Sequence, residues 1–304
     1  MTELYQDQST YQLIEQIKVK QYCTAIAILS DNSYVLASCW KMIKVFQFKK
    51  EIMKQVNFIN GHNNRITVLE FYKNYKVSSD WDGSIKIWSI NRIHSSKCLQ
   101  KIQAHKQVIL GLVINDEKNC IISSSQDKKI KFWTEKNGWQ LLGQTNLLQL
   151  RQVNLCYGIT KTQNIKCWNI VQKIEVDKEG YKLCLISNNL FTFQQWGENF
   201  MDVYELDSKN QFIKTKSIFV KGGTNCDCLF PQQYRKSKDL LVNKNGSFIN
   251  LIRRQENNEF IPQMSIDLLA GESIYGQMSQ DSQYLITWDK KSSLIQIRKY
   301  QNIN

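Results

Sequence analysis

Few residues of this 304-residue chain could support nucleophilic or acid–base chemistry, because it contains only three histidines. A serine or cysteine nucleophile needs a histidine or an equivalent base within hydrogen-bonding reach. His94 lies in a polar stretch, residues 91–97, that is predicted to be an exposed loop, and the other two histidines belong to a repeat described below. The sequence shows no glycine-rich phosphate loop and no nucleophile elbow. It therefore predicts a protein with no catalytic activity, no cofactor and no small-molecule substrate.

The cysteines are a second group that could carry chemistry, as metal ligands or as disulfides. There are nine of them, an odd number, scattered along the whole chain. This distribution favours free thiols in a reducing compartment over a disulfide framework. The closest pair, Cys226 and Cys228, has no further cysteine or histidine nearby at the spacing of a metal site. We therefore expect buried or half-buried thiols and no bound metal.

The elements that would position any site follow an internal repeat. A short alternating apolar run containing an aromatic residue near its end recurs about every 40 residues, most clearly at 43–46, 85–88, 130–133 and 165–168. Weaker echoes begin at Met201, Phe248 and Ile295. A period of this length, built from short strands, is typical of a β-propeller.

We predict an all-β fold with seven blades, each a four-stranded antiparallel sheet, in a single domain spanning residues 1–304. The approximate blades are residues 24–60, 61–103, 104–143, 147–176, 181–216, 224–268 and 272–304. Within the second unit, the Asp82-Gly83 dipeptide is a strong signal for a tight turn between two strands.

Two of the units resemble the WD-repeat family in their motif residues. The family unit has a Gly-His pair before the innermost strand, a Ser or Thr on the second strand, an Asp in the next turn and a Trp on the third strand. In the second unit these places are filled by Gly61-His62, Ser78, Asp82 and Trp88. In the third unit they are filled by Ala104-His105, Ser123, Asp127 and Trp133. The fourth unit keeps only Trp168, and the others rest on periodicity.

The resemblance implies a structural role for these two sets of four residues, which we call tetrads. In an up-and-down blade, the loop before the first strand and the turn between the second and third strands lie at the same end. His62 is therefore expected to meet Asp82, and His105 to meet Asp127, because a buried aspartate is costly unless it is paired. The resemblance also implies that the N-terminal strand, residues 11–20, completes the last blade and removes an exposed sheet edge.

Four tryptophans outside the third-strand position fall in or beside turns between second and third strands: Trp40, Trp81, Trp196 and Trp288. These turns lie at the end of each blade that carries the tetrads, and Arg65 shares that end. Tryptophan is enriched at binding hot spots because its ring buries a large area and offers one donor. The rings are interpreted either as a partner-binding face or as caps that fold back over their own blades.

The charge of the chain widens the choice of partner without deciding it. The formal net charge is +13 and the pI about 9.2, which permits binding to nucleic acid, an anionic membrane or an acidic protein. AT-rich codons for Lys, Asn and Ile would account for part of that charge. Our first hypothesis is a non-enzymatic scaffold or adaptor, a structural subunit that binds other proteins of a larger assembly. The alternative is a propeller subunit of an RNA- or nucleic-acid-associated complex.

The expected location follows from two absences in the sequence. Residues 1–10 carry Glu3 and Asp7 and no apolar run, so they do not read as a secretory signal. No stretch approaches the ~20 consecutive apolar residues of a membrane span. We expect a cytoplasmic protein that has no membrane partner. A cytoskeletal or ciliary location is compatible with this expectation.

Overall fold

A computed structural model of the chain describes residues 8–90, 97–115, 120–135, 137–146, 154–161, 168–178, 180, 182–222, 229–269 and 273–303. Nearly all of the regular structure in these residues is β-strand. Alternating apolar residues separated by short turns rich in Asn, Asp, Ser and Gly produce this pattern, since a side-chain period of two suits a strand and not a helix.

Three four-stranded sheets, named blades A to C, follow one another after the first strand, β1 (Gln8–Lys18). Blade A contains β2 (Ile26–Ile28), β3 (Tyr34–Cys39), β4 (Met42–Lys49) and β5 (Ile52–Asn60). Blade B contains β6 (Ile66–Tyr72), β7 (Tyr75–Asp80), β8 (Ser84–Ser89) and β9 (Cys98–Gln103). Blade C contains β10 (Ile109–Asn115), β11 (Cys120–Ser125), β12 (Lys129–Glu135) and β13 (Trp139–Asn146).

A hairpin and three further four-stranded sheets, named blades D to F, complete the described chain. The hairpin contains β14 (Asn154–Lys161) and β15 (Trp168–Glu175). Blade D contains β16 (Lys182–Ser187), β17 (Leu190–Gln194), β18 (Phe200–Leu206) and β19 (Phe212–Phe219). Blade E contains β20 (Gln233–Arg235), β21 (Leu240–Asn245), β22 (Phe248–Arg254) and β23 (Phe260–Asp267), with a single 3-10 turn at Lys236–Lys238. Blade F contains β24 (Ile274–Met278), β25 (Tyr284–Asp289), β26 (Leu294–Ile303) and β1.

The prediction of seven blades is wrong: the described residues form six four-stranded blades and one two-stranded hairpin. The hairpin occupies the place of the predicted fourth blade, residues 147–176. That segment is the shortest of the predicted units, and unlike the unit before it, it lacks the histidine and aspartate of a tetrad. Part of its repeat motif, residues 165–167, lies outside the described residues.

The N-terminal strand is the outer strand of blade F. β1 pairs antiparallel with β26, so the strand order of this sheet is β1-β26-β25-β24. Tyr11 anchors β1, because its side chain is buried and its hydroxyl donates a hydrogen bond to the carbonyl oxygen of Ser282 at 2.6 Å. The two ends of the described chain thereby share one sheet, which covers the edge that β26 would otherwise expose.

Apolar side chains pack between neighbouring sheets to form the core. Among the described residues, separate buried clusters join blade F to A, A to B, B to C, D to E and E to F. On the hairpin, Ile174 packs against Phe191, Phe193, Tyr204 and Phe212 of blade D, and β15 also lies beside β13 of blade C. The sheets therefore stand side by side around a ring, and each is held mainly by the faces of its neighbours.

The innermost strands of several blades meet near one end of the ring. The amide nitrogen of Gln277 on β24 lies 3.3 and 3.4 Å from the two carboxylate oxygens of Glu70 on β6, and its oxygen accepts a hydrogen bond from the Ile28 backbone. Burial raises the pKa of Glu70 to about 7, although the guanidinium of Arg235 opposes this shift. Residues on the innermost strands of blades A, B and F are thus joined by hydrogen bonds.

Candidate binding surface

The tetrad of blade B is a continuous chain of hydrogen bonds. His62 Nε2 lies 2.6 Å from Ser78 Oγ, and the indole nitrogen of Trp88 donates to the same hydroxyl oxygen at 2.9 Å. His62 Nδ1 lies 2.7 Å from Oδ2 of Asp80. With a neutral imidazole protonated on Nδ1, each ring nitrogen, the hydroxyl and the indole N–H all have a partner.

The carboxylate that meets His62 is therefore that of Asp80. The prediction that Asp82 is the partner of His62 is wrong. Side chains alternate along a strand, so Asp80, the last residue of β7, points to the same face as Ser78. The backbone N–H and the hydroxyl of Ser84 also donate to Asp80, at 2.9 and 2.7 Å. Asp82 lies in the exposed turn that follows, where its carboxylate accepts a hydrogen bond from Asn64 at 2.8 Å.

In blade C, His105 lies between the residues that the motif selects. Its Nε2 is 2.8 Å from Ser123 Oγ, to which the indole nitrogen of Trp133 donates at 2.9 Å, and its Nδ1 is 3.0 Å from both carboxylate oxygens of Asp127. The residue equivalent to Asp80 is Ser125 here, so the carboxylate has to come from the turn instead of from the strand end.

A serine, a histidine and an aspartate in a row are also the groups of a hydrolase triad. In blade B, however, Ser78 is only 1% exposed and His62 only 4%. The oxygen of Ser78 already accepts the indole N–H of Trp88, and a substrate carbonyl cannot approach it. This arrangement holds the loop, the strand and the turn of one blade together and presents no nucleophile at the surface.

The electrostatics of the tetrads favour neutral imidazoles beside ionised carboxylates. Burial lowers the pKa of His62 and of His105 below the ordinary histidine value, and the hydrogen bonds to Asp80 and Asp127 only partly oppose this. Burial alone would raise the pKa of the Asp80 carboxyl, but the hydrogen bonds from His62 and Ser84 outweigh it and leave that pKa lowered. The charge of Asp80 is thus stabilised by several donors in a buried place.

Backbone hydrogen bonds join turns to loops at the tetrad end of the ring, within single blades and, in one case, between blades A and B. The Trp40 N–H donates to Tyr22 O, the Ile66 N–H to Trp40 O, and the Trp81 N–H to Arg65 O. The same relation recurs in blade F, where the Lys290 N–H donates to Ser273 O. We call this end, which carries the turns between second and third strands, the tetrad face.

Three of the four predicted tryptophans are exposed on the tetrad face, and one is not. Trp40, Trp81 and Trp196 are 54%, 43% and 42% exposed, and each follows the end of its strand. Trp288 is 1% exposed, which corrects its place in the predicted binding face. It is still part of β25, and the strand alternation turns its ring inward, where its indole nitrogen donates to Val19 O and the ring packs against Tyr22.

Arg65 links two aromatic rings on this face. Its guanidinium carbon lies 4.5 Å from the centroid of the Tyr22 ring and 5.3 Å from that of Trp81. The ammonium of Lys290 lies 5.9 Å from the same Tyr22 ring. We call Tyr22, Trp40, Arg65, Trp81 and Lys290 the Arg65 patch.

A second group of exposed rings, on blade D, was not predicted from the sequence. Phe200 and Phe219 are 50% and 53% exposed, pair across β18 and β19, and contact each other edge to face at a centroid distance of 5.8 Å. Trp196 lies in the turn that precedes β18. We call these three residues the blade D patch. The sequence does not show whether a neighbouring segment covers an aromatic residue at the end of a strand. The exposure of the two phenylalanines could therefore not be predicted from the sequence.

The remaining chemical candidates offer no site in the part of the chain that the structure describes. His94 and the segment Cys226-Asp227-Cys228 lie outside the described residues. Cys23, Cys39, Cys98, Cys120 and Cys184 are not joined in disulfides. No group of three or more His, Cys, Asp or Glu within the described ranges is arranged to hold a metal ion.

These features define the class: the chain is a β-propeller of four-stranded antiparallel blades in which buried His–Ser–Asp–Trp networks tie a loop to a turn. It carries WD40 repeats, since the family model described as WD domain, G-beta repeat matches residues 53–89 and 96–134. The two matches cover about a quarter of the chain and coincide with most of blades B and C.

Relatives among curated proteins are distant and partial. The chain is 24% identical to a ribosome biogenesis protein WDR12 homolog of Trichoplax adhaerens over 122 residues, which is 40% of this chain and 26% of that protein. It is 24% identical to pre-mRNA-processing factor 19 of Mus musculus over 143 residues, 43% of this chain and 28% of that protein. It is 28% identical to component of gems protein 5 of Dictyostelium discoideum over 80 residues, 23% of this chain and 6% of that protein. The chain thus spans about a quarter of the length of the first two.

Within the described ranges, no helix has the length and apolar character needed to cross a membrane.

Proposed function

We propose that this chain is a non-catalytic scaffold that binds partner proteins of a larger assembly through its tetrad face. The observation that carries the proposal is the blade D patch, three aromatic side chains that are 42% to 53% exposed on one blade. Aromatic residues dominate interface energetics because each buries a large apolar area, and tryptophan is among the residues most enriched at hot spots.

Other aromatic rings on the same face are buried, and the contrast with them favours a role in binding, and not in folding, for the exposed rings of the blade D patch. Trp288 and Tyr275 are at most 1% exposed and pack into the cluster between blades A and F, whereas Phe200 and Phe219 are 50% and 53% exposed and contact each other edge to face. An exposed ring contributes little burial to folding, so its apolar surface is available to a partner.

The test is a purification of the tagged full chain from its own cells, followed by partner identification and calorimetry with the purified partner. Trp196→Ala and Phe200→Ala are each expected to weaken binding by about 2 kcal/mol, roughly thirtyfold. Ile52→Ala is the matched control, because Ile52 is 64% exposed but follows the turn at the opposite end of blade A. Full partner affinity in both patch variants would overturn the proposal.

The absence of catalysis is part of the proposal and rests on the use of the described histidines. His62 and His105 are each held between a serine and an aspartate inside a blade, so neither is available as a surface base. Hydrolase or transferase activity of the purified chain that a single substitution abolishes would contradict this part.

A second candidate is that the assembly is one that handles RNA. It is favoured by relatives whose names concern ribosome biogenesis and pre-mRNA processing and by the net charge of +13. The sequence-based expectation of a cytoskeletal or ciliary location receives no support from the relatives named above. Sedimentation of cell extract tests the candidate: the chain should migrate in a large complex that ribonuclease makes smaller, and migration unchanged by ribonuclease would contradict it.

A further inference from the structure

We propose that the Arg65 patch is a binding site for single-stranded RNA, an inference that rests on the RNA-handling assembly proposed above as the second candidate. The site would combine two exposed indole rings, on which unpaired bases stack, with two cations that contact phosphates. Proteins that bind single strands use this combination of stacking rings and basic groups.

Backbone hydrogen bonds position the two turns that carry the indole rings. Trp40 and Trp81 occupy equivalent turns on the adjacent blades A and B, and each follows the last residue of its second strand. Trp40 O accepts a hydrogen bond from Ile66 N, and the preceding residue, Arg65, accepts one from Trp81 N, both at 2.9 Å. Arg65 is therefore held between the two turns, and its guanidinium lies beside the rings of Trp81 and Tyr22.

The cations of the patch are not neutralised by nearby acids. Within the described ranges, no ion pair joins Arg65 or Lys290 to a carboxylate, whereas Lys178, Lys214 and Lys299 each pair with one. Asp82, the acid on the neighbouring turn, accepts a hydrogen bond from Asn64. Exposed Lys20, Lys41 and Lys291 lie in the same loops and turns, so this part of the tetrad face carries an excess of positive charge.

This chemistry separates the Arg65 patch from the blade D patch. The three rings of the blade D patch have no cation above them among the described contacts, which suits an apolar protein surface. In the Arg65 patch, cations and rings alternate from Trp81 through Arg65 and Tyr22 to Lys290. A polyanion with an exposed π-face at each repeat matches both properties, and a duplex does not, because its bases are stacked inside.

The experiment measures fluorescence anisotropy of a labelled twelve-nucleotide oligouridine with the purified full chain at low salt. Trp81→Ala and Trp40→Gly are each expected to weaken binding about tenfold. Glycine is chosen for Trp40 because φ there is 58°, which glycine tolerates. Trp196→Ala is the matched control, since Trp196 is 42% exposed against 43% for Trp81, and its affinity should be unchanged.

The salt dependence tests the cations separately. For a single strand, the logarithm of the binding constant falls with the logarithm of salt concentration by about 0.7 for each phosphate contact. Arg65→Gln and Lys290→Gln should each reduce that slope by about this amount. Lys209→Gln should leave it unchanged, because exposed Lys209 lies in the turn between β18 and β19, at the other end of blade D. Melting curves confirm that each variant is folded.

Several outcomes would overturn the assignment. The first two are an absence of oligouridine binding at low salt and an equal loss of affinity in Trp196→Ala and Trp81→Ala. The third is an affinity for duplex RNA, or for an oligothymidine of the same length, equal to that for oligouridine. The fourth is competition by a polyglutamate peptide of equal charge. The last would indicate an acidic protein partner. The two proposals can be refuted separately. If the chain binds oligouridine as expected but its sedimentation is unchanged by ribonuclease, the RNA site is supported and the RNA-handling assembly is refuted.

Discussion

His62 Nδ1 lies 2.7 Å from Asp80 Oδ2, two residues before the aspartate that the repeat motif selects. Because Asp80 is 2% exposed and receives two further hydrogen bonds from Ser84, it is the carboxylate on which blade B depends. Asp82 is exposed and bonded only at the surface.

We therefore expect Asp80→Ala to lower the free energy of unfolding by about 1–3 kcal/mol, since the buried imidazole loses its acceptor. Asp82→Ala should stay within about 0.5 kcal/mol of the wild type. Asp127→Ala in blade C should behave like Asp80→Ala. Urea denaturation of the three variants measures these differences, and a larger loss in Asp82→Ala than in Asp80→Ala would reassign the tetrad.

The lowered pKa values of His62 and His105 predict a loss of stability in mild acid. The unfolded chain takes up these protons at higher pH than the folded chain, so their contribution is present above about pH 6.5 and is lost as the pH falls below it. Melting temperatures at several pH values should show a shallower acid loss in the double variant His62→Gln, His105→Gln. Identical slopes for the variant and the wild type would refute the assignment.

Glu70 should change the pH dependence of stability in the opposite direction to the two histidines. Its pKa rises from 4.5 to about 7 on folding, so its contribution is present below pH 4.5 and is lost as the pH rises through about 7. Glu70→Gln keeps an oxygen acceptor for Gln277 and removes the charge. It should raise the melting temperature at about pH 8 and change it little at about pH 4. Equal effects at both values would show that Glu70 is not buried in its charged form.

Substitution of Gly83 and of Gly197 by alanine allows the free-energy cost of a steric clash to be separated from the cost of a strained backbone. Both have a positive φ, 78° and 74°, so alanine is strained in both places. A methyl group at Gly83 would meet the carbonyl oxygen of His105 at 2.4 Å, whereas nothing lies within 4 Å at Gly197. Gly197→Ala should cost about 1 kcal/mol and Gly83→Ala about 1–3 kcal/mol more. Equal unfolding free energies would mean that the turn of blade B relaxes away from blade C.

Removal of residues 1–18 should prevent the formation of a stable monomer. β26 would lose its partner along the whole register from Gln8 to Lys18, and Tyr11 would leave the cluster between blades E and F. We expect aggregation and rapid proteolysis. Size-exclusion chromatography and limited trypsin digestion measure both, with removal of residues 1–7 as the control. A compact, protease-resistant product after the longer deletion would show that β1 is dispensable.

The sequence alone determined the kind of sheet and most of the tetrad residues. The period of about 40 residues and the apolar alternation predict four-stranded antiparallel blades, because a strand shows its buried face as a period of two. The spacing of His105, Ser123, Asp127 and Trp133 selects four residues that lie within hydrogen-bonding distance. Local patterns of this kind can be read from sequence because they repeat within one blade.

Tertiary structure decided what depends on contacts between distant segments. Whether residues 147–176 form a full blade depends on the surfaces of their neighbours, and there the periodicity misled the blade count. The choice between Asp80 and Asp82 depends on where β7 ends relative to His62. Trp288 is buried by the cluster between blades A and F, whereas Trp81 lies beyond the end of β7 and is 43% exposed. The physical reason is the same in each case: a side chain is buried or exposed according to the blade packed against it, and the sequence of one blade does not record the position of another.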